Sequence, residues 1–130
     1  MSEKIVIQWL DDRTLSSIAN QGACDRSLFE QRYDATCPSE FYRGYATLLT
    51  QIGDAFGSNS NLAILHELVD AFDPAIMALP ADELRNGASF ALVNVAAYAQ
   101  AGTAAQVSAT LAAEIVCIAH CFVQNQAAGL

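Results

Sequence analysis

Basic side chains are scarce in this chain. Six Lys and Arg stand against 14 Asp and Glu in 130 residues, for a formal net charge of −8. A nucleic-acid binder normally presents a basic patch. Lys4, Arg13, Arg26, Arg32, Arg43 and Arg85 form no cluster along the sequence. Direct contact with DNA, RNA or an anionic membrane surface is therefore disfavoured, and a basic partner would be attracted instead. Proline is equally sparse, at Pro38, Pro74 and Pro80 alone. With heavy use of Ala, that favours helices over a strand-rich fold with many turns. Charged residues make up only 15% of the chain and hydrophobic ones 53%, the opposite of a disordered composition. The sequence also lacks an apolar leader. Ile5 to Ile7, with Trp9 and Leu10, is too short a run for a secretory signal. A cytosolic location is expected, with the four cysteines as reduced thiols unless they bind metal or take part in redox chemistry. There is no repeat, and no G-x-S-x-G, H-E-x-x-H, Walker A or G-x-G-x-x-G pattern. Neither catalysis nor a cofactor is expected.

What is present is one domain's length of amphipathic helix signals. The expected fold is an all-α single domain over residues 1–130, a bundle of roughly five to seven helices. Ile5, Ile7 and Trp9 alternate as in a strand, but no later segment offers a strand partner, so a short helix starting after Ser2 is preferred. A second short helix is read over Arg13 to Asn20, with Asp12 as N-cap. Asp25 caps a third, through Tyr33. The clearest helix runs from Ser39 to Phe56. There Phe41, Tyr45, Leu48, Ile52 and Phe56 fall on one stripe, and Gly57 is a natural stop. The next covers Asn61 to Phe72. Asp73–Pro74 reads as a cap and first position of a short turn, and Pro80 starts another that Gly87 ends. Two further helices follow, Ala88 to Ala101 and Ala104 to Gln124, with Thr103 as cap between them. This C-terminal hairpin is expected to be buried at the centre of the bundle.

The hairpin invites a transmembrane reading, because Ala104 to Val123 has the required length of roughly 20 residues. Glu114 argues against it: a carboxylate near a helix centre costs on the order of 2.5–3.5 kcal/mol on insertion scales. A soluble core hairpin is preferred, with part of its apolar surface available to a homodimer. Ala105, Ala109 and Ala113 form a small-residue ridge on the last helix.

Four groups of residues could carry function. Glu114, Cys117, His120 and Cys121 lie three or four residues apart on a helix and include zinc-ligand types, and Cys24 and Cys37 could complete a site. Their spacing matches no standard zinc motif, and buried Cys usually acts as a small hydrophobe. His66 and Asp70 stand one turn apart, with Glu67 and Asp73 beside them, but no nucleophile of known motif accompanies them. A solvated surface pair is the preferred reading. Tyr42 and Arg43, with Arg32, Tyr33, Phe41 and Tyr45, are residue types found at interface hot spots. Tyr42 sits at the edge of the apolar stripe and is a candidate for exposure. Finally, from residue 44 onward seven acids face a single base, Arg85. Glu67, Asp70, Asp73, Asp82 and Glu83 then make an acidic surface that serves either solubility or docking.

In composition alone, the chain resembles short acidic helical accessory proteins of bacteria and phage, among them toxin-immunity proteins and inhibitors of host defence. The leading expectation is a non-enzymatic inhibitor or regulator that binds a basic protein. The alternatives are a metal- or thiol-dependent protein built on Cys117, His120 and Cys121, and a structural homo-oligomer.

Overall fold

The order of elements follows from where the chain can cap a helix and where it must bury one. A computed structural model describes residues 5–24, 37–57 and 61–130. The described residues form five α-helices and no strand. They are α1 (Asp12–Ala19), α2 (Ser39–Phe56), α3 (Leu62–Met77), α4 (Glu83–Ala101) and α5 (Ala104–Ala127). The helix expected from Asp25 to Tyr33 lies outside the described residues.

Side-chain caps set four of the five starts. The Asp11 carboxylate accepts from the Thr14 amide at 2.7 Å, and Asn61 accepts from the Ala63 amide at 2.9 Å. Asp82 accepts from the Arg85 amide at 3.0 Å. Thr103 and Gln106 exchange hydrogen bonds in a capping box. Each satisfies an amide that the first turn leaves without a helical partner.

The bundle is organised around α2. Its Tyr42, Tyr45, Leu48, Leu49, Ile52 and Phe56 are essentially inaccessible. A helix buried over so much of its circumference needs neighbours on several sides. It packs chiefly against α4 and α5; α1 leans on α5, and α3 on α4. The expected C-terminal hairpin is met only in part. Consecutive α4 and α5 touch little and flank α2, because the large side chains of α2 occupy the centre.

Gly44 and Gly87 let α2 and α4 come close. A Cβ at Gly44 would sit 2.1 Å from the Leu84 carbonyl oxygen, and one at Gly87 1.8 Å from the Phe41 carbonyl oxygen. Gly87 therefore does not end a helix as expected. It lies inside α4, and its missing side chain is what lets the helices pack backbone to backbone. Pro74 does not open a new turn either: α3 continues through it to Met77. The ring removes one helical hydrogen bond, within the last turn and on an exposed face.

Residues 5–10 belong to no helix or strand. Ile5, Ile7 and Trp9 pack on the core while Val6 is 65% exposed. The segment needs no strand partner because α2 supplies side chains. Thr47 Oγ1 accepts from the Leu10 amide at 3.0 Å, and the Gln51 amide donates to the Val6 carbonyl at 3.1 Å.

Two polar knots tie the helices. The buried Glu114 of α5 accepts hydrogen bonds from the hydroxyls of Tyr45 on α2 and Tyr98 on α4, and Asn94 donates to Tyr45 at 2.7 Å. The second knot centres on Arg43. It donates to the Leu10 carbonyl at 2.6 Å, to both oxygens of Glu40 and to Asp12, and lies over the Phe122 ring.

Candidate protein-binding face

All five acids singled out on α3 and α4 are exposed: Glu67, Asp70, Asp73, Asp82 and Glu83. Among the described residues, the only ion pairs join Arg43 to Asp12 and Glu40. None of the five carboxylates is in an ion pair with a described residue. Asp82 spends an oxygen on the α4 cap. The one base after residue 44, Arg85, forms an ion pair with none of them. It reaches the Leu79 carbonyl at 3.5 Å and the Met77 sulfur at 3.6 Å.

Asp70 and Asp73 do more than decorate a surface. They rim a groove of about 360 Å³ between α3 and α4. Val69 and Met77 line it from α3; Ser89, Leu92, Val93 and Ala96 line it from α4. Val93 is 67% exposed and Met77 57%, high values for side chains that gain from burial. Glu67 and Glu83 belong to the same two helices and Asp82 caps α4, but none of the three lines the groove. Asp54 lies apart, on α2, beside a smaller hollow against α5. His66 is exposed, and no hydrogen bond or ion pair joins it to Asp70.

The other groups are placed differently. Tyr42 is buried, a correction to its expected exposure, because its side of α2 also faces the core. The Arg43 side chain is only 15% exposed and holds four elements together. Burial by itself would lower its pKa, but hydrogen bonds to Asp12 and Glu40, and their charges, outweigh this and raise it. The Arg43 hydrogen bond in turn, with that from Gln126, holds the Asp12 carboxyl below the ordinary range. Tyr42 and Arg43 thus support the fold here.

Cys117 is joined to Cys24 by a disulfide, with Cα atoms 4.7 Å apart. The expectation of four reduced thiols is corrected for these two, and a disulfide sulfur has no thiolate to offer a metal. Glu114 is turned to its tyrosines, and His120 Nε2 lies 2.8 Å from the Gly22 carbonyl oxygen. Cys121 is a buried thiol. Among the described residues, no group of three His, Cys, Asp or Glu side chains is placed to hold a metal ion.

Sequence reasoning found the acids of the groove but missed its apolar members. Ser89, Val93 and Ala96 do share one helical face at i, i+4 and i+7 spacing. Nothing local says that this face stays open beside α3. Comparison with known protein families, curated proteins and solved structures finds no match.

Proposed function

We propose that this chain is non-enzymatic and acts by binding a basic protein, covering its site as an immunity or anti-defence inhibitor would. The observation that supports this reading is the set of five exposed carboxylates along α3 and at the start of α4, none of them in an ion pair among the described residues. Unpaired charges of one sign steer an oppositely charged partner and set the orientation of docking. The same charges oppose nucleic acids and anionic lipid. Helix α5 is long and apolar enough to cross a membrane, but mid-helix Glu114 is engaged by tyrosines of two other helices, as in a core helix. No cofactor enters this reading. The Cys24–Cys117 bond favours an oxidising setting, so action in the cytosol would require that the reduced chain keep its fold.

The test is capture of partners by the tagged protein at low and high salt, beside a variant carrying E67K, D70K and E83K. A basic protein held at low salt, released at high salt and absent from the variant supports the reading. Identical captures by both proteins contradict it. A second reading, self-association, is favoured by one observation: Ala105, Ala109, Ala112 and Ala113 are exposed on α5. Sedimentation of a monomer at high micromolar concentration would rule it out.

A further inference from the structure

The acidic face has a specific seat. We infer that the groove between α3 and α4 receives a short basic amphipathic helix of the partner protein, an inference that rests on the binding function proposed above. The groove wall runs from Val69 to Met77 on α3 and from Ser89 to Ala96 on α4. At 1.5 Å per residue that is roughly 10–12 Å, or two helical turns. An incoming helix would therefore place two apolar side chains one turn apart against Val93 and Met77, in the usual helix-in-groove mode. Met77 adds an adaptable wall, because its unbranched side chain repacks readily.

Charge selects the occupant. Asp70 and Asp73 stand on the rim, and among the described residues neither has a cation partner. Pro74 has no amide hydrogen, so the Asp70 carbonyl lacks its ordinary helical donor and is a further acceptor on this helix. Lys or Arg side chains flanking the apolar pair would satisfy these groups. A second copy of this chain is a poor occupant, since each copy carries a net charge of −8. A phosphate-bearing ligand would meet the same repulsion. Among the described residues, Arg85, in contact with Met77, is the cation at the edge of the groove, and it holds affinity for a basic helix below its maximum.

The experiment is fluorescence anisotropy with a labelled synthetic peptide. It has about a dozen residues, two leucines one turn apart, and lysines or arginines on either side. A second peptide has the same composition with the leucines dispersed. The expected result is salt-sensitive binding of the first peptide and about tenfold weaker binding of the second. D70N with D73N, and separately M77S with V93S, should each weaken the first peptide by about tenfold or more. E67Q with E83Q should weaken its binding less than D70N with D73N does, and R85Q should strengthen it. Circular dichroism confirms that each variant is folded; Met77 and Val93 are exposed, so these changes spare the core. Equal binding of both peptides, weakened by E67Q with E83Q as much as by D70N with D73N, would overturn the groove and leave the acidic-face reading intact. Failure of every cationic peptide to bind would overturn the groove as the seat, while salt-dependent capture with the charge-reversed variant still judges the wider reading.

Discussion

At residue scale, Arg43 shows how a charged side chain can act as a fastener. It joins the N-terminal segment, α1, α2 and α5 through hydrogen bonds, two ion pairs and a ring contact. Arg43→Met keeps the aliphatic stem but removes these bonds, and should cost about 1–3 kcal/mol in urea denaturation. The lower end allows for the exposure of Asp12. Acid sensitivity follows the same contacts. The folded-state pKa of Asp12 lies below its ordinary value of 3.8, because of the hydrogen bonds from Arg43 and then Gln126. Its contribution is therefore fully present above that value and is lost as pH falls through the lower folded-state pKa. In denaturation profiles, the stability gap between the wild type and Asp12→Asn should close as pH drops below about 3.8. A gap that stays constant with pH would contradict this. Gly87 is a residue whose role is to be absent. Gly87→Ala should cost about 3 kcal/mol, the upper range for overpacking, because the atom it meets is the backbone carbonyl oxygen of Phe41. Helix propensity alone predicts the opposite sign, a gain of about 1 kcal/mol. The sign of the measured change decides between them.

At the scale of elements, the sequence was legible where a local rule and the packing agree. α2 begins at Ser39 and ends at Phe56 as expected, since its apolar stripe and Gly57 act together. It was illegible where packing overrides a local rule. Pro74 and Gly87 carry stop signals, yet α3 and α4 run through them. The first lies near a helix end, where one lost hydrogen bond is tolerable; the second sits where a side chain would block α2. Residues 5–10 alternate as an extended segment should, but the side chains of Thr47 and Gln51 that replace a strand partner are some 40 positions away. The disulfide was equally hidden, because four cysteines offer six possible pairs and spacing chooses none of them. Cys24–Cys117 closes a sequence separation of 93 residues and pins the stretch after α1 to α5. Reduction, or Cys24→Ala, should lower stability by about 2–4 kcal/mol. An unchanged denaturation midpoint with and without a thiol reductant would show that His120 and the surrounding packing hold this stretch unaided.

Across the whole molecule, the acids and the apolar residues divide between faces. The core gathers around α2, and Glu114 is held within it by tyrosines from two neighbouring helices. The exposed carboxylates lie outside, along α3 and the start of α4. The acidic half of the candidate site was legible in the sequence, because charge excess survives any fold. The apolar half was not, since Val93 and Met77 become one surface only when α3 lies beside α4. The measurement that tests the central claim most directly is nuclear magnetic resonance mapping of the full chain titrated with the basic amphipathic peptide. Shift changes concentrated at Asp70, Asp73, Met77 and Val93 are predicted, and they should fade as salt is raised. Changes centred on Ala105 to Ala113 of α5, or none on α3 and α4, would contradict the account.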